Sequence, residues 1–181
     1  MDLPRACRRS TEGLQIPALS AIANRAAFRA VLLCFVFAVA AMLVVVPPLD
    51  AKMRRDTLVL VTATGEHKIE IEVAETPQEK AIGLMFRPNV PPNTGMLFPY
   101  ETAQEITMWM RNTYVSLDMV FIRADGTVHR IEERTEPFSE RTIPSQGPVT
   151  AVLELAAGEA ARLGLKPGDR VIHPHFGNAS R

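Results

Sequence analysis

Cysteine is nearly absent from this chain, and both of its cysteines stand near the N-terminus. Cys7 and Cys34 lie before or within a long apolar run, and no cysteine follows Cys34. The long C-terminal part therefore contains no disulfide, and no thiolate can act there as a nucleophile or a metal ligand.

An excess of charge of either sign is also missing. The chain has 20 basic and 20 acidic residues, whereas nucleic-acid-binding domains normally carry a basic excess. No glycine-rich phosphate loop is present, and strands do not alternate with helices as they do in parallel-sheet nucleotide folds. The sequence therefore predicts no nucleic-acid partner, and we expect no cofactor.

One long stretch lacks charge altogether. The run Ala30–Val46, AVLLCFVFAVAAMLVVV, would span roughly 25 Å as a helix, at the short end of what crosses a bilayer. Because it shows no polar face, we expect a membrane anchor rather than a buried globular helix. Arg25 and Arg29 precede the run as in a signal peptide, but Lys52 follows it and no small-residue cleavage site is evident. A cleaved signal that releases the protein to the periplasm is the alternative.

These features divide the chain into five segments. Residues 1–29 are expected to form a flexible cytoplasmic tail, 30–46 the anchor or the apolar part of a signal, and 47–55 a short linker. Residues 56–176 are expected to fold as one mainly β domain in the periplasm or outside the cell, followed by a loose tail at 177–181.

The domain is rich in strand patterns. In KIEIEV, apolar and charged residues alternate with the period of two that marks a strand with one wet face. This strand follows a predicted hairpin turn at Thr64-Gly65, and a second hairpin is predicted at Asp125-Gly126, a pair suited to a tight turn. Further strands are predicted at 95–99, 104–110, 149–155 and 169–173.

Two short helices interrupt the strands. Thr76 is predicted to cap the first, with Pro77 at its first position and Glu79 completing a capping box. The second lies in GEAARLGLKPGD and is predicted to end at Gly164. We therefore predict a mainly β (α+β) domain, a compact barrel-like antiparallel or mixed sheet with two short helices, preceded by one N-terminal transmembrane helix.

Five motifs together resemble a known protein family. In chain order they are TPQEKAIGLMFRP, GMLFPY, MWMRNTYVSLDMVFI, GTVHRIEE and VLELAAGEAARLGLKPGDRV. Over about residues 57–173 they are similar to the bacterial and archaeal family called domain of unknown function 192. The resemblance implies a small, barrel-like, mainly β domain that is often exported behind a signal or anchor. It implies no established activity, and residues 1–29 lie outside it.

The stretch MWMRNTYVSLDM holds the main candidates for a ligand site. Trp109, Arg111 and Asn112 place an aromatic wall, a cation and an amide side by side, with Thr113 next to them. Arginine can contact a carboxylate or phosphate through two hydrogen bonds. The combination therefore predicts a site for a small polar or anionic ligand, although Trp109 in the core and Arg111 locking a carboxylate is the structural alternative.

Two carboxylates stand on apolar strand faces. Asp118 and Glu154 must each be paired, hydrogen-bonded or at a strand edge, and Arg87 and Arg111 are the expected partners. They are either structural ion pairs or, if they share one pocket, a general acid/base pair. The predicted ligand-binding set is Arg87, Trp109, Arg111, Asn112, Thr113, Asp118 and Glu154.

Methionine and histidine leave a metal interpretation open. An exported domain is where Cu(I) would be handled by thioether and imidazole ligands. Methionine also fills irregular cores, and no dense Met-x-x-Met cluster is present, so we expect no metal site. The candidate Cu(I) ligands are Met85, Met96, Met108, Met110, His129, His173 and His175.

Three functions follow in order of preference. The first is a non-enzymatic small-ligand-binding or accessory module of the cell envelope. The second is a small envelope enzyme that uses Asp118 and Glu154 as acid and base, and the third is a Cu(I)-binding protein. A cleft that joins Arg111 to the two carboxylates favours binding or catalysis, whereas direct salt bridges in that space favour a structural role.

Overall fold

The computed structural model describes residues 53–179. The predicted cytoplasmic tail, the anchor and most of the linker fall in residues 1–52, which lie outside the described residues, as do residues 180–181. Within 53–179 no helix has the length and apolar character needed to cross a bilayer. The anchor at 30–46 therefore stays a prediction.

Seven strands form one mixed sheet. In chain order, β1 to β7 span Arg54–Thr62, Gly65–Val73, Thr94–Met108, Leu117–Ile122, Val128–Glu132, Ile143–Ala156 and Arg170–Ile172. Their order across the sheet is β5-β4-β6-β3-β2-β1-β7. Helix α1 at Pro77–Ile82, helix α2 at Glu159–Leu163 and a 3₁₀ turn at Pro174–Phe176 complete the domain. The prediction of a mainly β sheet with two short helices is confirmed.

Both predicted hairpins are present. β1 and β2 pair antiparallel up to Thr62 and Gly65, where the first turn begins. β4 and β5 pair antiparallel on either side of the Asp125-Gly126 turn. Gly126 has φ of 83° there, and an added Cβ would meet the carbonyl oxygen of Val171 at 2.5 Å. Only glycine fits this turn without displacing its neighbours.

Strand β3 is longer than the patterns predict. The strands predicted at 95–99 and 104–110 are one continuous strand that pairs with β6. Its register shifts between Pro99 and Gln104 and again between Glu105 and Thr107. Because proline has no N–H to give to the ladder, the sequence pattern breaks there, but β-bulges carry the strand through.

The folded domain also extends past its predicted limits. β1 begins at Arg54, inside the segment predicted as a linker, and β6 begins at Ile143, ahead of the predicted residue 149. Asn178 lies in the predicted loose tail, yet its amide donates a hydrogen bond to the carbonyl oxygen of Val171 at 2.8 Å.

The sheet curls into a half-barrel. β2 and β3 are parallel neighbours, and the crossover that joins them carries α1. β7 pairs with β1, and Thr127 forms an isolated bridge to Arg170 of β7. The Val128 N–H also donates to the carbonyl oxygen of Asp169 at 2.8 Å. These contacts join the β7 edge of the sheet to the β4–β5 hairpin.

Apolar side chains cover both faces of the sheet. The first core layer includes Val120 and Leu153 and contains the buried apolar residues of α2, Ala160 and Leu163. The second core layer includes Met119 and Val152 and is covered by Leu84, in the loop after α1. Every residue of β4 is buried, because successive side chains of that strand enter the two layers in turn.

The helix ends follow the predicted caps. The Glu79 N–H donates to Thr76 Oγ1 at 3.2 Å, and the Thr76 N–H donates to the Glu79 carboxylate at 2.8 Å, which completes the capping box. Helix α2 ends at Gly164, which has a left-handed φ of 67°. Both helix predictions are confirmed.

Candidate ligand-binding cleft

Asp118 and Glu154 lie on neighbouring strands, β4 and β6, but on opposite faces of the sheet. In the β4–β6 register Asp118 is opposite Leu155, and Met119 is opposite Glu154. Cross-strand partners point to the same side, so Asp118 faces the first core layer and Glu154 the second. The hypothesis of an acid/base pair in one pocket is wrong, because the sheet separates the two carboxyl groups.

The Asp118 carboxylate is fully buried and holds two backbone segments in place. The Arg134 N–H donates to Oδ1 at 2.9 Å, and the Ala160 N–H donates to Oδ2 at 3.0 Å. Ala160 is in the first turn of α2, so Asp118 satisfies one of the amide groups that a helix start leaves free. The predicted arginine partner, Arg87 or Arg111, is replaced by these amides. Asp118 is therefore a structural residue.

The Glu154 carboxyl has the opposite environment. The residue is 4% exposed and has Met96 and Met119 as its cross-strand neighbours. It makes no hydrogen bond with any of residues 53–179. Burial raises the pKa of Glu154 from 4.5 to about 8, and the charge of Arg87 offsets only part of this. At pH 7 the carboxyl is mainly protonated and can donate a hydrogen bond.

Glu154 lines a cleft of about 260 Å³ in the second face of the sheet. One wall is formed by α1 and the loop that follows it, and the other by β3 and the turn after it. The walls mix aromatic, thioether and polar side chains. Besides Glu154, the aromatic, thioether and polar residues of the walls are Lys80, Met85, Phe98, Tyr100, Thr107, Met108, Trp109 and Thr113.

Gly83 brings the α1 wall close to Glu154. It has φ of 51° and ψ of −132°, a combination that L side chains strongly disfavour. A Cβ added there would lie 3.1 Å from Cζ of Phe98 and 3.9 Å from Oε2 of Glu154. Glycine at this position therefore lets the backbone approach while leaving space beside the carboxyl.

Two cations lie against aromatic rings of the cleft. Lys80 Nζ is 4.6 Å from the ring centroid of Tyr100, and the Arg111 guanidinium carbon is 5.5 Å from that of Trp109. Burial and the charge of Glu154 both raise the pKa of Tyr100, so its hydroxyl stays protonated at neutral pH. The cleft therefore combines positive charge at two rings with hydrogen-bond donors inside.

The structure brings part of the predicted set together. Trp109, Thr113 and Glu154 line the cleft, and Arg111 reaches it through its contact with the Trp109 ring. Asn112 is exposed, with φ of 57°, and its amide lies 4.0 Å from the sulfur of Met85.

Arg87 is directed elsewhere. Its guanidinium makes two hydrogen bonds to Glu72, at 3.0 and 2.6 Å, and the pair lines a separate cleft of about 370 Å³. Arg87 therefore acts on Glu154 through its charge and forms no contact with the Glu154 carboxyl.

The sequence does not predict the parts of the cleft that come from α1 and from the first half of β3. Lys80 and Gly83 come from the crossover helix, and Phe98 and Tyr100 from the first half of β3. None of them is near Trp109 or Glu154 in sequence. The one available signal was the glycine directly after a short capped helix, which marks a close backbone approach.

The candidate Cu(I) ligands are dispersed. Met96 and Met110 are fully buried in the second core layer, and only Met85 and Met108 line the cleft. The histidines are engaged elsewhere: His129 with Arg123 and the Gln146 carbonyl, His173 with Asp56, and His175 with the Thr150 carbonyl. Among residues 53–179 no group of three histidine, cysteine or acidic side chains is arranged to hold a metal ion.

Known proteins match the domain but add no activity. The model of the family DUF192, described as "Uncharacterized ACR", matches residues 59–173. A crystal structure from Sinorhizobium meliloti 1021, described as a candidate transcription regulator, is 43% identical with a TM-score of 0.66. A protein of unknown function from Novosphingobium aromaticivorans DSM 12444 is 38% identical, also with a TM-score of 0.66.

Coverage shows what these relatives consist of. In each case 68% of this chain is matched, and it covers 96% of the Sinorhizobium chain and 89% of the Novosphingobium chain. The crystallised relatives are therefore almost entirely this domain, so a domain of this kind folds without the segment that precedes it here. No functionally curated protein matches the chain.

Proposed function

This chain belongs to the DUF192 family, and we propose that its domain is a non-enzymatic binding module of the cell envelope. Residues 30–46 hold it at a membrane, with the domain outside the cytoplasm. The cleft beside Glu154 takes a small ligand that carries a polar or anionic group.

The observation that carries the proposal is the unpartnered carboxyl of Glu154. Buried polar groups in folded proteins are nearly always hydrogen-bonded, because an unmet one costs about 1–3 kcal/mol. Asp118 on the next strand follows this rule with two amide donors. Glu154 is 4% exposed and has no hydrogen-bond donor among residues 53–179, and it lines a cleft. A ligand that accepts its proton in a hydrogen bond would complete the site.

Size and charge define the class of ligand. The cleft, about 260 Å³, is just below the roughly 300–1,000 Å³ of pockets for drug-sized molecules, which favours a small metabolite. Phe98, Tyr100 and Trp109 suit an apolar or ring-shaped body, and Lys80 and Arg111 suit an anionic group. A carboxylate or phosphate ester with a short apolar body fits all of these features.

An enzyme based on the two carboxyls is not supported, since Asp118 and Glu154 lie on opposite faces. Among the described residues, Glu154 is the single acidic side chain that lines the cleft. Binding therefore remains ahead of general acid/base catalysis as the use of this site.

The ligand proposal can be tested with the fluorescence of Trp109, the chain's one tryptophan. The domain of residues 53–181 would be titrated with linear and aromatic carboxylates and with phosphate monoesters at pH 6 and pH 9. Binding should be at least tenfold tighter at pH 6, because ionised Glu154 at pH 9 loses its donor and repels an anion. Glu154→Gln should remove the pH dependence, and Arg111→Ala should weaken binding at both pH values.

Controls separate this proposal from its alternatives. Glu66→Gln changes an exposed glutamate in the β1–β2 hairpin and should leave binding unchanged. Binding that is indifferent to both Glu154→Gln and Arg111→Ala would contradict the cleft. A response to Cu(I) alone that is lost in Met108→Leu would favour the metal interpretation instead.

The location is tested separately. A full-length chain with a C-terminal tag should fractionate with membranes, and protease added to spheroplasts should digest the domain. Complete protection of the domain would contradict export across the membrane.

A further inference from the structure

Large apolar side chains are exposed in one region of the domain. Within residues 53–179 five of them are between 42% and 58% exposed, and they come from the end of α1 and the loop after it, the turn after β3 and the loop between β5 and β6. We call them the aromatic surface. Its members are Ile82, Phe86, Trp109, Tyr114 and Phe138.

Backbone and ring contacts make this surface continuous. The Phe86 N–H donates to the Asn112 carbonyl at 2.9 Å, and the Phe138 N–H donates to the Thr113 carbonyl at 3.2 Å. The Tyr114 ring centroid lies 6.1 Å from that of Phe86 and 5.4 Å from that of Phe138. Ile82 and Trp109 extend the surface to the walls of the Glu154 cleft.

The backbone at two of these rings is strained. Phe86 has φ of 62° and Phe138 has φ of 61°, in the left-handed region that bulky residues rarely adopt. Each side chain is 58% exposed, so burial in the core does not offset the strain. Strain held without such compensation is typical of functional positions. The rings are held outward at a cost to the fold.

The chain enters the domain close to this surface. Met53 packs against the second core layer, and Arg54 Nε is 2.9 Å from Oε1 of Glu75, the residue before the cap of α1. Helix α1 has six residues and rises about 9 Å to Ile82. Only the six residues 47–52 separate the apolar run from Met53, and a fully extended chain of that length spans about 20 Å. A membrane that holds residues 30–46 is therefore within reach of the aromatic surface.

We propose that the aromatic surface docks into the interfacial layer of the bilayer in which residues 30–46 are anchored. Tryptophan and tyrosine favour this layer because their rings are apolar at one end and polar at the other, and phenylalanine adds apolar area. The inference rests on the proposed membrane anchor. The anchor confines the domain near the bilayer, so even a weak surface affinity keeps it docked.

Charge around the surface indicates which lipids matter. Lys80 and Arg111 lie near its Ile82–Trp109 end, and Glu136 and Glu140 flank Phe138. These charges are balanced, so attraction to anionic lipid is small and docking depends on ring insertion. Vesicles of zwitterionic phosphatidylcholine should therefore bind the domain about as well as vesicles that contain anionic phosphatidylglycerol.

The test uses the domain of residues 53–181 with vesicles of each composition. Trp109 fluorescence should shift to the blue on binding. The double variant Phe86→Asn/Phe138→Asn should partition at least tenfold more weakly, with an unchanged or higher melting temperature, because asparagine tolerates positive φ and phenylalanine does not. Gln146→Asn, at another position with positive φ, is the matched control and should bind as wild type does.

The outcomes separate docking from anchoring. A full chain in the membrane fraction with no vesicle binding by the domain would overturn the docking surface and leave the anchor intact. Binding that requires anionic lipid, or that survives in the double variant, would also overturn it. A photocrosslinker at Tyr114 of the full chain should label lipid, and labelling of a protein instead would overturn the lipid assignment. A full chain found in the soluble fraction would overturn the anchor and the docking with it.

Discussion

Each face of the sheet buries one carboxyl group, but only the first face supplies it with hydrogen-bond donors. On the first face Asp118 accepts hydrogen bonds from the backbone of Arg134 and Ala160. On the second face Glu154 is almost as buried but has no hydrogen-bond donor among residues 53–179. The difference lies in the segment that packs over each carboxyl group. Helix α2 presents the Ala160 amide to Asp118 and the loop after β5 presents the Arg134 amide, whereas α1 and Gly83 leave a cleft beside Glu154.

This contrast gives a general criterion for separating scaffold from site. Both residues are acids on apolar strand faces, so residue type and burial do not distinguish them. What distinguishes them is whether the surrounding backbone supplies donors for the charge. Where the backbone supplies donors, the carboxyl group holds backbone segments in place. Where the backbone supplies none, as at Glu154, the carboxyl group stays protonated and can donate a hydrogen bond to a ligand.

Replacing Asp118 by alanine should have the largest effect on stability. The buried Ala160 N–H and the part-buried Arg134 N–H would lose their acceptor at a cost of roughly 1–3 kcal/mol each, the lower value for Arg134, so we expect the free energy of unfolding to fall by about 2–4 kcal/mol. Urea denaturation of the domain measures this loss. The control is Asp125→Ala, which removes an exposed carboxylate that accepts one amide, from Thr127, and should cost under about 1 kcal/mol. Equal losses in both variants would contradict the scaffold role of Asp118.

Replacing Glu154 by glutamine should stabilise the domain, and this gain in stability should appear only above about pH 4.5. Glu154 ionises near pH 4.5 when unfolded and near pH 8 when folded, so between these values the folded state holds the extra proton. Wild-type stability therefore falls as pH rises from about 4.5 to about 8 and is level above that. Each pKa unit is worth about 1.4 kcal/mol, so we expect a gain of at least about 2–3 kcal/mol at pH 8.

Urea denaturation of both proteins at pH 4, 6 and 8 measures this pH dependence. At pH 4 the two should be equally stable, and the exposed variant Glu66→Gln should follow wild type throughout. A gain that is the same at every pH would mean that Glu154 is not a buried acid with a raised pKa.

Replacing Gly83 by alanine should have the smallest effect, about 1–2 kcal/mol of lost stability. The new Cβ meets positive φ and the Phe98 ring at 3.1 Å, and it should push that ring towards the cleft. Gly168→Ala is the matched control, because Gly168 has φ of 98° with no atom within 4 Å of an added Cβ. The difference between the two melting curves isolates the contact with Phe98, and no difference would contradict close packing over Glu154.

Much of the fold could be predicted because its signals are local. The alternation in KIEIEV, the Asp125-Gly126 turn and the Thr76 capping box each depend on a few adjacent residues, and all three are present. The joining of two predicted strands into β3 could not be predicted, since the bulges near Pro99 are stabilised by β6.

The candidate site could be predicted only in part, for the same reason. Alternation along β4 and β6 assigns a face to Asp118 and to Glu154 separately, but the register that sets the two faces opposite each other is a long-range property. The sequence predicts Trp109 because an aromatic ring stands beside a cation, and Glu154 because a carboxylate stands on an apolar face. Thr113 is predicted because it follows Arg111 and Asn112 in the chain. Lys80 enters the cleft from the crossover between the parallel strands β2 and β3, and Tyr100 enters it from β3, an arrangement that no short pattern encodes.

The closure of the sheet by β7 determines when this domain can fold. Among residues 53–179, β7 is the last strand, and it pairs with β1, the first, and bridges to the β4–β5 hairpin. Pairings between distant segments form slowly, because the chain must close a long loop before any contact repays the lost entropy. The half-barrel therefore cannot be completed while Arg170–Ile172 is still being synthesised. A chain still attached to the ribosome would therefore stay open at this edge until β7 had emerged.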